Sequence, residues 1–232
     1  MKIRAFAKIN LGLKIVGKRP DGFHEIETIF ARIGLADELE LRARDDSKIL
    51  VTTENAEIPV RENLVFRAAW LLQKFVPGSP GVEIALRKKI PLGSGLGGGS
   101  ADAAAVLANL PRIWGAKISR EKLRKIAAEL GSDVPFFLEK KVCRGRGRGE
   151  ILEPISLPKN FPREILLVVP PVKIATKWAF AKIKISKKPR AKFENDFEKV
   201  VFREFPAIRK IKIALEKSGA EIASLSGSGS AV

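Results

Sequence analysis

The stretch IPLGSGLGGGSAD, from Ile90 to Asp102, runs directly into the alanine-rich segment AAAVLANL at 103–110. Within it, glycine occupies positions Gly93, Gly95, Gly97, Gly98 and Gly99. A loop with so few side chains lets backbone N–H groups converge on an anion, and the N-terminus of the helix that follows adds a partial positive charge. The stretch therefore predicts a binding site for a phosphate chain.

Two common phosphate motifs do not account for this loop. Gly93-x-Gly95-x-x-Gly98 matches the dinucleotide fingerprint literally, but that site needs an acidic residue about 20 positions later, and 113–118 has none. A P-loop ends in Gly-Lys-Ser/Thr, and here Gly99 precedes Ser100 without a lysine. A glycine-rich turn without a ligand is the remaining alternative, which is disfavoured because each glycine costs about 0.5–1 kcal/mol in conformational entropy.

The composition limits the class of protein. A chain of 232 residues with 45% hydrophobic content forms one large domain or two small ones. No apolar run approaches the roughly 20 residues that span a bilayer, and the N-terminus carries no signal-peptide cleavage site. The single cysteine, Cys143, suits a reducing compartment and is interpreted as a strand residue. We therefore expect a cytoplasmic protein without a membrane partner.

The formal net charge of +17 admits nucleic acid, membrane surfaces or anionic small molecules as partners. The basic residues are spread along the chain, with denser stretches at 140–148, 182–192 and 209–217. Such diffuse basicity is typical of a solvated surface. The run Arg144–Glu150 (RGRGRGE) resembles RNA-binding Arg-Gly segments, but a strand pattern follows it, which favours an ordered loop near a nucleotide.

Periodicity predicts a mixed α+β fold, because strands and helices alternate without a regular βαβ repeat. The predicted helices are Asn63–Phe75 with Asn63 as the N-cap, Ser100–Leu110 ended by Pro111, Ser119–Leu130, and Ile208–Ser218. The predicted strands are Ile3–Leu13, Glu25–Leu35, Asp37–Ala43 paired with Lys48–Thr53, Val82–Ile90, Glu164–Pro170, and Glu221–Val232.

Three motifs resemble, in order and at suitable spacing, those of the GHMP kinase superfamily. They are AKINLGL at 7–13, PLGSGLGGGSADAAA at 91–105 and SGSGSA at 226–231. Four more motifs resemble one branch of that superfamily, which phosphorylates a hydroxyl of a small cytidine diphosphate-bearing alcohol in isoprenoid precursor synthesis: PDGFHEIETIF at 20–30, GSDVPFFL at 131–138, RGRGE at 146–150 and NDFE at 195–198. The resemblance extends from Lys2 to the end of the chain.

This resemblance implies a two-lobed fold. The N-terminal, ATP-binding lobe (1–155) would be similar to domain 2 of ribosomal protein S5, and the substrate lobe (156–232) would be a smaller α/β plait. The chain ends at Val232 directly after the third motif, where relatives continue with further elements. We therefore expect a shortened C-terminal lobe.

The resemblance also implies roles for residues of the reaction centre. Asp133 would be the catalytic base, although from its position alone it could be a helix cap. Lys8 would lie beside this base and the acceptor hydroxyl, although its position alone favours the wet face of an edge strand. The ATP phosphates would be held by Pro91, Gly93, Ser94, Gly95, Leu96, Gly97, Gly98, Gly99, Ser100 and Ala101.

ATP is expected as its Mg²⁺ complex, and no protein side chain is assigned to the metal. Asp102 is expected to favour the positive end of the following helix.

The cytidine end has its own candidates. Phe23 can stack on a pyrimidine and His24 can bind its edge, although a lone histidine is more often a surface or core residue. Phe180 falls where the family has a second ring, with Trp178 as its neighbour. Asn10 and Ser228 complete the expected substrate contacts.

Two other functions stay open at this point. The first is another GHMP kinase, of the homoserine or mevalonate type, and the second is a basic RNA-binding module. The PDGFHE motif distinguishes the cytidine-dependent branch from kinases of the homoserine or mevalonate type. The pair Lys8 and Asp133 distinguishes a kinase from an RNA-binding module. Nucleic acid is not expected as a partner, and the protein is expected to be a monomer or a weak homodimer.

Overall fold

The computed structural model describes residues 1–54, 58–162, 164–185 and 193–232. Its strands are β1 (Lys2–Lys18), β2 (His24–Arg44), β3 (Ile49–Glu54), β4 (Gly81–Arg87), β5 (Cys143–Arg146) and β6 (Ile151–Pro154). Its helices are α1 (Leu64–Gln73), α2 (Gly98–Ile113), α3 (Arg120–Leu130), α4 (Val134–Phe137), α5 (Thr176–Lys182), α6 (Glu198–Glu204) and α7 (Pro206–Lys217). The prediction of a mixed α+β fold is confirmed.

The chain divides into two compact units that are each built from separate stretches. The first unit contains Met1–Ala7, Ile33–Ile90 and Gly97–Lys140. The second contains Lys8–Arg32, Pro91–Leu96 and Lys141–Val232. Strands β1 and β2 contribute residues to both units. The lobe boundary at 155/156 stays a prediction.

The sheet of the first unit has the order β3–β4–β2. Strand β4 is antiparallel to β2, with Ile84 opposite Leu41, and parallel to β3, with Ile84 opposite Val51. The predicted pairing of Asp37–Ala43 with Lys48–Thr53 is therefore wrong. Parallel strands need a crossover connection, and α1 lies in the chain between β3 and β4. Strand β2 also continues without a break through the two strands predicted at 25–35 and 37–43.

Helices α1 to α4 complete the described part of the first unit, and the starts of α1 and α3 follow the local capping signals. Asn63 Oδ1 accepts a hydrogen bond from Val65 N at 2.9 Å, and Ser119 Oγ accepts one from Lys122 N at 3.2 Å. Helix α2 contacts α1, α3 and α4 and buries Ala103, Val106, Leu107 and Leu110.

The predicted end of α2 at Leu110 is wrong, because the helix runs through Pro111 to Ile113. The proline removes one donor near the helix end. The last turn is still closed by Trp114 N donating to Leu110 O at 3.0 Å.

The second unit combines the sheet order β2–β5–β6 with helices α5–α7. Thr28 of β2 lies opposite Gly145 of β5. Its core is formed by apolar residues from β1, β2 and the C-terminal helices and loops: Leu13, Ile15, Ile26, Ile174, Ala179, Phe197, Val201, Ile208, Leu225 and Val232.

Neither strand predicted for the C-terminal region is formed over 164–170 or 221–232. Val168 and Val232 instead exchange two backbone hydrogen bonds, at 2.9 and 3.0 Å. An apolar run forms a strand only where a partner strand continues beside it. The single pair of hydrogen bonds between Val168 and Val232 is too short to form a strand. Among the described residues, no helix is both long and apolar enough to span a membrane.

Candidate active site

The first half of the glycine-rich loop belongs to the second unit. Gly93 and Gly95 have φ values of 68° and 79°, which side chains rarely adopt. Ser94 is buried, and its Oγ donates to Pro91 O at 2.7 Å, so this hydroxyl is used inside the loop. A Cβ on Gly95 would clash with the backbone oxygen of Ser226, and Ser226 Oγ donates to Gly95 O at 3.2 Å. The loop is therefore pressed against the C-terminal glycine turn.

Asn195 holds that C-terminal turn in place. Its Nδ2 donates to Leu225 O at 2.7 Å and to Gly227 O at 2.8 Å, while its Oδ1 accepts from Phe197 N at 2.9 Å. Asp196 adds a link to β1, because its Oδ2 accepts from Ile15 N at 2.8 Å. The NDFE motif thus has a structural task that the sequence pattern did not reveal.

The second half of the loop opens α2 in the first unit. Gly97 is the N-cap residue with φ 70°, and no side chain caps the helix there. The first N–H groups of an α-helix have no intrahelical acceptor, so the amides of Gly98, Gly99 and Ser100 could together bind an anion at this turn. Ala101 N already donates to Gly97 O at 2.9 Å. This turn has the geometry of a phosphate site.

A buried ion cluster lies beneath this turn. Lys88 Nζ donates to Asp37 Oδ2 and, at 2.7 Å, to Asp102 Oδ2, and all three side chains are buried. Burial raises the pKa of Asp102 to about 7; Lys88 opposes this shift and Asp37 adds to it. The expectation that Asp102 favours the helix end is wrong, because the residue lies beyond the first turn and pairs with Lys88. Neither Lys88 nor Asp37 was predicted from the sequence.

Lys8 in β1 starts a buried polar chain in the second unit. Its side chain is 3% exposed, which excludes the wet face of an edge strand. Its Nζ donates to Asn10 Oδ1 at 2.6 Å and lies 5.5 Å from the centre of the Phe30 ring. Asn10 Nδ2 donates to Thr28 Oγ1 at 2.9 Å, and Thr28 Oγ1 donates to Gly12 O at 2.6 Å. The ammonium is thereby held in a single direction.

Asp133 lies in the first unit at the residue before α4. It has φ −85° and ψ −18°, and its side chain makes no capping hydrogen bond. The next residues, Val134 and Phe136, are fully buried. The packed Val-Pro-Phe-Phe turn therefore anchors the backbone of a partly exposed carboxylate, and the capping interpretation finds no support.

Two aromatic contacts organise the turn around His24. The His24 ring stacks on Phe180 with centroids 5.0 Å apart and an interplanar angle of 26°. Phe23 is 49% exposed to solvent, and the guanidinium carbon of Arg148 lies 4.6 Å from the centre of its ring. Trp178 instead packs edge-on against Phe205 at 5.6 Å.

The arginine–glycine loop fastens this turn to the sheet. Glu25 Oε1 accepts from Gly147 N at 2.9 Å, and Ile26 N donates to Gly147 O at 2.8 Å. Arg19 pairs with Glu25 at 3.0 Å on the other side. This ordered docking places Arg148 on the Phe23 ring, a contact that sequence spacing alone could not indicate.

Ser228 is buried in the C-terminal turn, and its Oγ lies 3.1 Å from Thr176 Oγ1 at the start of α5. Among the residues that the structure describes, no group of three or more His, Cys, Asp or Glu side chains could hold a metal ion.

Comparisons with known proteins agree with this geometry. Residues 63–141 match the family described as GHMP kinases N terminal domain. A 4-diphosphocytidyl-2-C-methyl-D-erythritol kinase of Prosthecochloris aestuarii (strain DSM 271 / SK 413) is 43% identical, over 100% of this chain and 87% of the relative. The kinase of the same name from Pelodictyon phaeoclathratiforme (strain DSM 5477 / BU-1) is 41% identical, over 99% of this chain and 86% of the relative.

A crystal structure of 4-(cytidine 5'-diphospho)-2C-methyl-D-erythritol kinase is similar at a TM-score of 0.83 and 33% identity, over 100% of this chain and 88% of that one. A homoserine kinase from Cytophaga hutchinsonii has a TM-score of 0.66 at 19% identity, covering 97% and 83%, and it shares the fold alone. The chain belongs to the 4-diphosphocytidyl-2-C-methyl-D-erythritol kinase family and is a small-molecule kinase. The expected superfamily and its fold are thereby confirmed.

Proposed function

We propose that this protein transfers the γ-phosphoryl group of ATP to the 2-hydroxyl of 4-diphosphocytidyl-2-C-methyl-D-erythritol. The observation that carries the proposal is the buried chain Lys8–Asn10–Thr28 in the same compact unit as the stacked rings of His24 and Phe180. The Lys8–Asn10–Thr28 chain would supply an oriented positive charge for phosphoryl transfer. The rings of His24 and Phe180 would supply an aromatic surface for a pyrimidine. The full-length similarity to kinases of that name supports the choice of substrate.

The ATP phosphates would bind at the glycine-rich loop. The amides of the first turn of α2 and the Ser100 hydroxyl are the donors, aided by the positive end of the helix dipole. Glycine at 97–99 lets the phosphate oxygens approach the backbone closely. The buried Ser94 hydroxyl shapes the loop rather than contacting the ligand.

Asp133 would act as the base. The acceptor oxygen attacks the γ-phosphorus, its proton passes to the Asp133 carboxylate, a new O–P bond forms, and the bond to the bridging oxygen breaks to release ADP. Phosphoryl transfer depends mainly on positioning and charge stabilisation. Lys8 would stabilise negative charge on the attacking oxygen and the transferred group, and its bond to Asn10 fixes its direction.

The cytosine ring would stack on Phe23, Phe180 or both, and His24 would bind its polar edge. Burial and the positive charge of Lys18 lower the pKa of His24 below 6.5, which favours the neutral imidazole. A neutral imidazole carries one donor and one acceptor nitrogen, and this suits a pyrimidine edge. Asn10 and Ser228 would contact the remainder of the substrate.

Mg²⁺ would arrive with ATP. The described residues hold no ready metal cluster, and Mg²⁺ commonly keeps several waters and takes its other ligands from phosphate oxygens. When bound, the ion neutralises charge on the β- and γ-phosphates.

The proposal is tested by incubating the protein with ATP, Mg²⁺ and a panel that contains the cytidine substrate, homoserine and mevalonate. Mass spectrometry and phosphorus NMR of the product should show one phosphate added at the 2-hydroxyl of the cytidine substrate only. Turnover of homoserine or mevalonate without turnover of the cytidine substrate would overturn it.

The remaining expectations concern partners. We propose that the protein is cytoplasmic and is a monomer or a weak homodimer. Analytical ultracentrifugation tests the oligomeric state directly. Because of the net charge of +17, RNA binding is the alternative function to test. Tight RNA binding in a gel-shift assay that weakens steeply with salt, without kinase turnover, would favour that alternative.

A further inference from the structure

We infer that the cluster Asp37–Lys88–Asp102 positions the phosphate-binding turn of α2 and takes up a proton when a nucleotide binds there. The inference rests on the proposed function, because it assumes that the phosphates occupy this turn. It assigns positioning roles to three residues that do not themselves touch the nucleotide.

The cluster first fixes the entry to the glycine-rich loop. Asp37 Oδ1 accepts hydrogen bonds from Lys89 N at 2.5 Å and from Ile90 N at 2.8 Å. These amides follow the end of β4, so the carboxylate of one strand holds the backbone that leaves its neighbour. Asp37 is 0% exposed, and water does not compete for these bonds.

The same cluster also reaches the start of α2. A Cβ built on Gly98 would lie 3.2 Å from Lys88 Nζ and 2.9 Å from Ile90 Cγ2. The Lys88 ammonium therefore lies directly against the first residue of the helix. It also donates a hydrogen bond to the carboxylate of Asp102, in the second turn of the helix. Lys88 thus joins the strand end, the helix start and the helix body.

The charges of the cluster do not balance when both carboxylates are ionised, because two negative groups share one ammonium. Asp102 Oδ1 is buried and has no hydrogen-bond partner. Burying a carboxylate oxygen without a partner is costly, and protonation removes most of that cost. Burial accordingly raises the pKa of Asp102 to about 7, so the proton is exchangeable near neutrality.

Among the described residues of the helices packed against α2, none adds a buried charge beside Asp102. The helices packed against α2 present mainly apolar side chains to the interior: Val65, Ala68 and Leu72 of α1, Ile126 and Leu130 of α3, and Val134 and Phe136 of α4. Charged residues of these elements, such as Arg67 of α1 and Lys122, Arg124 and Glu129 of α3, are not buried, and Asp133 before α4 is partly exposed. Lys88 and Asp37 are the charges that act on Asp102.

A nucleotide changes this balance. Its phosphates bring negative charge to the first turn of α2, which disfavours a second negative charge on Asp102. Binding of the nucleotide and of the proton must then strengthen each other to the same extent. Nucleotide affinity should therefore decline as the pH rises above 7, where Asp102 loses its proton in the free protein.

Titration calorimetry of the whole protein with Mg·ADP at pH 7, in buffers of different ionisation enthalpy, counts the protons taken up on binding. On binding Mg·ADP, the wild type should take up more protons than Asp102→Asn, by a measurable fraction of one proton. Asparagine keeps the side-chain shape of Asp102 and an oxygen that accepts from Lys88, but it cannot take up a proton. Asp45→Asn, an exposed acid of the same unit, should match the wild type and is the control.

Equal proton uptake by the wild type and Asp102→Asn would overturn the inference while leaving the nucleotide site intact. If Asp102→Asn does not fold, the side-chain carboxyl of Asp102 is titrated by carbon NMR in the wild type. An upward shift of its pKa on adding Mg·ADP supports the inference, and an unchanged pKa overturns it. Failure of the wild type to bind Mg·ADP would instead remove the proposed function and this inference with it.

Discussion

The ring of His24, at the start of β2, stacks on the ring of Phe180 in α5 with centroids 5.0 Å apart. Phe180 is in turn held edge-on by the buried Phe197 at 4.8 Å. The two candidate cytidine residues therefore form one supported aromatic cluster, although 156 positions separate them in the chain.

Phe180→Leu should weaken binding of the cytidine substrate and leave kcat nearly unchanged. Base–aromatic stacking contributes about 1–3 kcal/mol, so KM should rise by a factor of roughly 5 to 150. Steady-state kinetics with saturating ATP measures the effect. The matched control is Trp178→Leu, because Trp178 packs on Phe205 rather than on His24. A similar KM change in both variants would point to general damage of the second unit.

Substrate affinity should depend on the protonation of His24. Its pKa is lowered from 6.5, chiefly by burial, so the ring is neutral at pH 7 and becomes charged only as the pH falls below 6.5. KM for the cytidine substrate should therefore be constant above neutrality and rise on acidification. His24→Gln should raise KM at pH 7 and remove this acidic change. A pH profile of KM that is the same in the variant and the wild type would contradict the assignment.

Asp133→Asn should reduce kcat by about 10²–10⁴-fold, since a positioned base contributes about that much. ATP affinity should stay nearly intact, because the phosphate amides belong to a different segment of the first unit. Single-turnover kinetics and calorimetry with Mg·ADP separate the two effects. Full activity of Asp133→Asn would mean that another group takes the proton.

The stability of the protein should fall as the pH rises through the range set by Asp102. Its pKa is raised from 3.8 to about 7, so the folded state binds more protons than the unfolded state between these values. Thermal melts from pH 5 to 8 should show a falling Tm for the wild type and a flatter curve for Asp102→Asn. Parallel curves would show that Asp102 does not carry this dependence.

Gly95→Ala should lower the Tm by several degrees and abolish turnover. Its φ of 79° is strained for alanine, at about 1–2 kcal/mol, and the added carbon would clash with Ser226 O. Differential scanning calorimetry with an activity assay measures both effects. Gly17→Ala is the control, because a Cβ at Gly17 meets nothing within 4 Å. An intact loop in Gly95→Ala, with wild-type Tm, would contradict the packing described for this turn.

Features that depend on neighbouring residues in the chain were predictable. Asn63 and Ser119 cap their helices through bonds spanning two and three residues, and the alternation in β1 placed Lys8 and Asn10 on one face. Elements that need a distant partner were not. The strands expected at 164–170 and 221–232 did not form, and β3 paired with β4 rather than with β2. Periodicity indicates which residues are buried but not which strand lies alongside.

The sequence by itself determined the family, the glycine-rich loop and the identity of the candidate residues, because motif spacing and residue chemistry are properties of the chain. Only the tertiary structure decided that Lys88 lies between Asp37 and Asp102, that Arg148 lies on Phe23, and that Asn195 holds the C-terminal turn. Each of these contacts joins residues that are far apart in the chain, or whose side-chain direction depends on packing. Their energies come from burial and from hydrogen bonds shielded from water, which arise only once the elements are assembled.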